Sequence, residues 1–214
     1  MDNIRSKMAR GAAWMVAFKG VERMLGLVST LVLARLLAPT DFGVVAMATS
    51  LMAMLELFSA FGLDAALIQR ANATRTHYDT AWTLNICAGV VIALLMLALA
   101  WPMSLYFREP RATGAIAVLA AAAFVIGLEN IGVIAFRKEM NFRKEFVYLA
   151  SKRVGGLIAT VSLALWLRSY WALVFGNLIG RVIGVVLSFA LHPYRPRLSL
   201  QAVGDFFHFS KWLV

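Results

Sequence analysis

The chain has 214 residues, of which 61% are hydrophobic and 15% are charged, and its formal net charge is +10 at neutral pH. A soluble domain is about 45–50% apolar and about 25% charged, so this composition excludes a water-soluble enzyme, a disordered tail and a disulfide-rich secreted module. We therefore predict an all-α integral membrane protein that crosses the bilayer several times. The single cysteine, Cys87, lies in an apolar run, and an intramolecular disulfide is impossible.

Six stretches are long and apolar enough to be membrane spans, because a spanning helix needs roughly 20 mostly apolar residues. Clusters of turn-forming residues separate them. The predicted spans are residues 11–34, 44–68, 81–105, 113–136, 146–167 and 171–191. Residues 1–191 are therefore expected to form one six-helix transmembrane lobe.

The segment 192–214 is expected to be a linker on the cytoplasmic side followed by the start of another span. Its last ten residues are rich in aromatic side chains and resemble the first turn of a seventh helix. This ending predicts that the chain is a fragment of a longer protein.

The distribution of lysine and arginine predicts the orientation, because these residues collect in cytoplasmic loops. Eleven lie on the N-terminal side of the predicted spans: Arg5, Lys7, Arg10, Arg70, Arg75, Arg137, Lys138, Arg143, Lys144, Arg195 and Arg197. The opposite loops carry four: Arg35, Arg108, Arg111 and Arg168. We expect the N-terminus and the linker to be cytoplasmic.

The first predicted span contains three charged residues on one helical face. Lys19, Glu22 and Arg23 are spaced i, i+3 and i+4. A charge at mid-membrane costs at least about 2.5–3.5 kcal/mol, so such residues must face protein or water. Two interpretations stay open: an internal salt bridge to Glu22, or the cationic wall of a hydrated cavity.

The sixth predicted span combines small and polar residues. Gly176, Gly180 and Gly184 form a GxxxGxxxG pattern, which allows close contact with another helix. Arg181, four residues after Asn177, lies too deep to reach either membrane surface easily, and we expect it to face the cavity.

The remaining charged residues in the spans are one basic pair and three carboxylates. Lys152 and Arg153 lie near the cytoplasmic end of the fifth span, where interface anchoring is favoured and Arg153 is the better cavity candidate. The carboxylates are those of Glu56, Asp64 and Glu129. They either pair with the buried basic residues, which we favour, or bind a coupling proton or sodium ion.

The sequence shows no pattern typical of catalysis or of a resident cofactor. The histidines His77, His192 and His208 fall in predicted loops or at an interface, without the spacing of a zinc site. There is no phosphate-binding loop and no nucleophile elbow. We predict neither a catalytic residue nor a metal site, and no enzymatic activity.

Several short motifs spread over the chain resemble one known family. They are LARLLAPTDFG at 33–43, FGLDAALIQR at 61–70, AWTLN at 81–85, FRKEMNFRK at 136–144, WALV at 171–174 and HPYRPR at 192–197. Together they resemble the polysaccharide transporter family, the Wzx-type O-antigen and exopolysaccharide flippases of the MOP superfamily. The similarity is greatest to the colanic-acid type of exporter.

The resemblance implies two six-helix lobes around a central cavity in the bacterial cytoplasmic (inner) membrane. Alternating access would move an undecaprenyl-diphosphate-linked oligosaccharide from the inner to the outer leaflet while its prenyl tail stays in membrane lipid. Basic residues in the cavity would neutralise the diphosphate, Arg by bidentate bonds and Lys as a point charge. Lys19 and Arg23 are the leading candidates, followed by Arg181 and Arg153.

Members of the family have about twice as many spans, so we expect this chain to need a C-terminal lobe. Polysaccharide polymerase and chain-length machinery are further candidate partners, whereas a nucleic-acid partner is not expected. Two alternatives stay open: a non-transporting scaffold or accessory subunit of a polysaccharide assembly complex, and another antiporter of the superfamily. A glycan ligase is disfavoured because the large external loop of such an enzyme is missing.

Overall fold

A computed structural model describes residues 2–59, 67–68, 74–139 and 141–204, and this part of the chain is helical without any strand. The helices are α1 (Asp2–Leu36), α2 (Pro39–Ser59), α3 (Arg75–Tyr106), α4 (Arg111–Gly127), α5 (Ile134–Lys138), α6 (Phe142–Leu167) and α7 (Trp171–Leu191). A 3-10 turn at Ile131–Val133 leads into α5. The predicted all-α class is confirmed.

Within the described ranges, four helices are long and apolar enough to cross a membrane: α2, α3, α6 and α7. A bent pair formed by α4 and the following 131–138 segment gives up to five. The helix α1 falls short of the same apolarity, because Lys19, Glu22 and Arg23 interrupt it. A multi-pass membrane protein is therefore supported, while the count of six spans stays a prediction.

The predicted fourth span is bent by 61° between α4 and the segment 131–138. The buried Asn130 lies at the bend, where its side-chain oxygen accepts a hydrogen bond from Gly132 N at 2.9 Å. The backbone N–H of Asn130 donates to Ser188 Oγ on α7 at 2.9 Å. These hydrogen bonds replace the backbone hydrogen bonds that the helix loses at the bend, so few polar groups there are left unpaired.

The bundle is organised around α4, which contacts α2, α3 and α7. Its buried face is mostly alanine: Ala112, Ala115, Ala120, Ala122 and Ala123, with Ile116 and Leu119. Small side chains let neighbouring backbones approach closely, which is how helices associate where lipid supplies no hydrophobic drive. A second pair, α6 against α7, carries α1 on its outer side.

The glycine pattern of α7 faces α6, as predicted. A Cβ added at Gly176 would lie 2.8 Å from the Cα of Thr160, and one at Gly180 would lie 3.2 Å from the Cα of Gly156. At Gly184 the added atom would meet Lys152 Cε at 2.6 Å. At Gly176, where the added atom would overlap backbone, only glycine lets the two helices pack at this distance.

The linker after α7 is hydrogen-bonded to the N-terminal end of α3. The buried carboxylate of Asp79 accepts from the Tyr194 hydroxyl at 2.6 Å and from Arg197 N at 2.9 Å. One turn along, Thr83 Oγ1 accepts from Ser199 N at 3.0 Å. Burial, together with the hydrogen bond to Asp79, raises the pKa of Tyr194. The predicted start of a seventh span, 205–214, lies outside the described residues.

His192 is the first residue of this linker. Its side chain stabilises the first turn of the linker. Its Nδ1 accepts a hydrogen bond from Tyr194 N at 3.1 Å, which requires the neutral tautomer protonated on Nε2. Burial lowers the pKa of His192, and the charges of Lys144 and Arg195 act in the same direction, opposed by Glu139. The folded linker therefore favours the uncharged imidazole.

We predict that Gly176→Ala lowers the free energy of unfolding by about 1–3 kcal/mol, because the new methyl group overlaps the backbone of α6. The matched control is Gly43→Ala on α2, where an added Cβ meets nothing within 4 Å. Since alanine favours helix over glycine, this control should keep or raise stability by up to about 1 kcal/mol. Reversible denaturation in mixed micelles measures both, and equal losses would contradict the close packing of α7 on α6.

We also predict that His192 makes stability depend on pH. Because its pKa is lowered in the folded protein, its contribution is complete above the unfolded value of about 6.5 and declines as the pH falls toward the folded pKa. Protonation removes the acceptor for Tyr194 N, so the loss should reach roughly 0.5–1.5 kcal/mol.

The control for this measurement is His192→Asn, which keeps an acceptor but does not titrate. The unfolding free energy of the unmodified protein minus that of this variant should decrease as the pH is lowered, because only the unmodified protein loses stability by protonation of His192. A difference that stays constant with pH would refute the role of His192.

Candidate functional site

A cavity of about 480 Å³ lies between α1, α2, α6 and α7. Four charged residues line it: Glu22, Lys152, Arg153 and Arg181. The remaining lining residues are polar, glycine or aliphatic: Ser29, Thr160, Asn177, Gly156, Gly176, Gly180, Leu25, Leu33, Val45, Leu149, Leu157 and Leu173. The cavity thus has an apolar wall interrupted by three cations and one carboxylate.

The predicted cavity residue Arg181 is held by a carboxylate of α2 and by an asparagine of its own helix, α7. Its Nη1 donates to Glu56 Oε1 on α2 at 3.0 Å, and its Nε donates to Asn177 Oδ1 one turn earlier on α7 at 3.0 Å. The Arg181 side chain is 17% exposed, so the guanidinium is fixed in position. In this ion pair Glu56 balances the charge of a partly buried arginine.

A second ion pair joins α6 to the end of α4. Lys152 Nζ lies 2.6 Å from Glu129 Oε2, and the hydroxyl of Tyr148 donates to the other carboxylate oxygen. The methylene chain of Lys152 covers Gly184 on α7. Glu129 is therefore paired with a basic residue that lines the cavity.

Sequence reasoning did not include Lys152 among the cavity residues, since its position near the end of a span suggested an interface anchor. The signal for its role was available in the i, i+4 spacing of Tyr148 and Lys152, which places both on one face of α6. The carboxylate of Glu129 inside a predicted span indicated that a basic partner was needed. Nothing in the sequence identified Lys152 as that partner.

The predicted cavity residue Arg153 carries the uncompensated charge of the site. Within the described part of the chain it has no ion pair and no hydrogen bond, and it is exposed along the cavity. A Cβ placed on Gly26 would lie 3.9 Å from Arg153 Nη2, so the guanidinium reaches toward α1. Its five donors are therefore available to an anion.

Of the three charged residues clustered at 19–23 of α1, Glu22 lines the cavity, whereas Lys19 and Arg23 lie outside its lining. Glu22 lines the cavity, and Lys19 Nζ lies 3.2 Å from its carboxylate in a salt bridge. The Lys19 side chain is 75% exposed, Arg23 is exposed, and neither lies in the cavity lining. Their role as phosphate ligands stays a prediction, and Asp64 lies outside the described residues.

The chemistry of the cavity favours a large anion with an apolar part. Two of its three cations are balanced by carboxylates, and the third is not, so the lined space is positively charged. Arginine presents a planar fork that matches phosphate oxygens, and lysine adds a mobile point charge. In the described ranges no group of three or more potential metal ligands occurs.

The family model described as polysaccharide biosynthesis protein matches residues 32–214 of the chain. The succinoglycan biosynthesis transport protein ExoT of Rhizobium meliloti is 30% identical over 95% of this chain and 42% of its own length. The lipopolysaccharide biosynthesis protein WzxC of Escherichia coli is 26% identical over 99% of this chain and 44% of its own.

An uncharacterized membrane protein in the cps region of Klebsiella pneumoniae is 24% identical over 99% of this chain and 44% of its own length. No solved structure matches the chain significantly. The chain spans less than half the length of these curated relatives. The family match nevertheless covers most of the chain and confirms the resemblance of its motifs: the chain belongs to the polysaccharide biosynthesis protein family of polysaccharide transporters and flippases.

Proposed function

We propose that the chain forms one lobe of a flippase that moves an undecaprenyl-diphosphate-linked oligosaccharide across the bacterial inner membrane by alternating access. Its relatives are bacterial proteins whose names refer to succinoglycan transport and lipopolysaccharide biosynthesis. The several apolar helices fit a multi-pass transporter. Because the chain covers 42–44% of the relatives, a second helical lobe is part of the proposal.

The observation that carries the proposal is the unpaired arginine on the cavity wall. A lipid diphosphate brings two or more negative charges and an apolar tail, and it cannot cross hydrocarbon with its glycan unaided. Arg153 offers a free guanidinium, while Arg181 and Lys152 lie on the same wall already oriented by carboxylates. An anion entering here would first bind Arg153.

Lys19 and Arg23 are included in the proposal as a basic approach to the cavity. Lys19 is bonded to Glu22, which itself lines the cavity, so its ammonium lies close to the mouth. Arg23 follows Glu22 on the same exposed helix. We assign them to the capture of the diphosphate by long-range attraction, and Arg153 to direct contact.

The proposed orientation places the linker and the N-terminus in the cytoplasm. Basic residues from separate loops meet at this end of the bundle: Arg75 Nη2 donates to Arg195 O at 3.4 Å, and Lys144 Nζ lies 5.8 Å from the ring of Phe136. The centroid of the Phe136 ring in turn lies 5.3 Å from the centroid of the His192 ring. Such a concentration of positive charge is typical of the cytoplasmic side.

We predict that Arg153→Gln in the full-length protein lowers polysaccharide export by about tenfold or more, because one charge-assisted hydrogen bond to phosphate is worth about 1.5–3 kcal/mol. Arg153→Lys should retain part of the export. The measurement is complementation of an export-deficient strain, with protein levels in the membrane determined in parallel.

The matched control is Arg143→Gln, which removes an exposed arginine from the same helix but outside the cavity. It should export at the unmodified rate, and the double variant Lys19→Gln/Arg23→Gln should lose less than Arg153→Gln. Normal export by a correctly inserted Arg153→Gln protein would refute the cavity as the phosphate site. Stable membrane insertion with no export by any version would favour a scaffold role.

A further inference from the structure

We propose that Glu56 is an internal competitor of the substrate: its carboxylate occupies Arg181 in the empty cavity and is displaced when a phosphate binds there. The inference rests on the proposed function, since it assumes an anionic substrate. It goes further in assigning to one residue a regulatory effect on affinity and release. The contact is between helices 125 residues apart in the chain, so it belongs to the folded cavity.

The guanidinium of Arg181 uses only part of its hydrogen-bonding capacity. Glu56 binds Nη1 and Asn177 binds Nε, whereas in the described part of the chain Nη2 contacts only the weakly accepting sulfur of Met52 at 3.6 Å. An arginine can bind a phosphate or a carboxylate through two parallel bonds, and here the carboxylate takes one. A phosphate of the lipid diphosphate has two non-bridging oxygens, which could accept two parallel bonds and make better use of the same donors.

The two partners, Arg181 and Glu56, differ in how firmly their side chains are held. Arg181 is 17% exposed and fixed by Asn177, whereas Glu56 is 35% exposed and lies in the last turn of α2. Arg181 lines the cavity, and Glu56 is outside that lining. When an anion arrives from the cavity, the carboxylate is therefore the group that can withdraw.

The carboxylate of the other ion pair, Glu129, is held more completely than that of Glu56. Glu129 is bound by Lys152 at 2.6 Å and also by the hydroxyl of Tyr148, so both its oxygens have partners. Glu56 has Arg181 as its only partner in the described part of the chain. The two carboxylates thus differ in role: Glu129 is a fixed structural counter-ion, and Glu56 is exchangeable.

The consequence is a cavity whose affinity is kept moderate. Leaving Arg181 unpaired in a poorly solvated space would be costly, and the internal carboxylate removes that cost when the substrate departs. Binding must then overcome the Glu56–Arg181 pair, which lowers affinity, and release is helped because the pair re-forms. A transporter gains from this, since very tight binding would slow release.

The test is a binding measurement on the full-length protein in nanodiscs of phosphatidylcholine, with farnesyl diphosphate as the probe and farnesol as the uncharged reference. Glu56→Gln should bind the diphosphate about tenfold more tightly, while Arg181→Gln should bind it more weakly. In the Arg181→Gln background, the Glu56→Gln change should have no further effect. The control Glu109→Gln, which removes a carboxylate paired with Arg111 outside the cavity lining, should not tighten binding.

Unchanged or weaker binding by Glu56→Gln, with Arg153→Gln still weakening it, would overturn this inference alone. Failure of the unmodified protein to prefer the diphosphate over farnesol would overturn the proposed function, and this inference with it. Equal tightening by Glu56→Gln with and without Arg181 would also count against competition at that residue. If Glu56→Gln does not fold, Glu56→Asp, which keeps the charge but falls short of Arg181, should tighten binding to a smaller degree.

Discussion

The arrangement of this molecule depends on the pairing of charges that a membrane environment cannot solvate. Arg181 on α7 is neutralised from α2, and Lys152 on α6 is neutralised by Glu129 at the end of α4. The first pair joins helices 125 residues apart and the second joins α6 to the turn after α4, so the charges fix how these elements are grouped as well as their own positions. Because an isolated charge in a poorly solvated interior is costly, helix arrangements that separate the partners are strongly disfavoured.

Small residues on α7 account both for its close packing against α6 and for the open cavity beside it. On α7 the glycines bring its backbone against α6, and on the cavity side the same lack of side chains leaves space that larger residues would fill. Gly176 and Gly180 contribute to both effects, since they touch α6 and line the cavity. The glycine spacing therefore determines the position of the cations relative to the space they face.

The sequence predicted local features well, because these depend on the spacing within one helix. The Lys19–Glu22 salt bridge and the glycine face of α7 both follow from helical periodicity, and both are found. It could not choose Glu56 as the partner of Arg181, because that choice depends on how α2 crosses α7. The role of Lys152 was missed for the same reason: its distance from the end of the span was visible, but its neighbour on another helix was not.

The bend in the fourth span was also absent from the prediction, although two consecutive polar residues, Glu129 and Asn130, interrupt the apolar run there. Their side chains are bound in different directions. Glu129 pairs with Lys152 of the cavity, while Asn130 donates to Tyr194 O of the linker at 2.7 Å. An unbroken helix could not aim both at these partners with their backbone groups still satisfied. The break therefore connects the cavity wall to the linker through adjacent residues, and the linker is in turn held by Asp79 on α3.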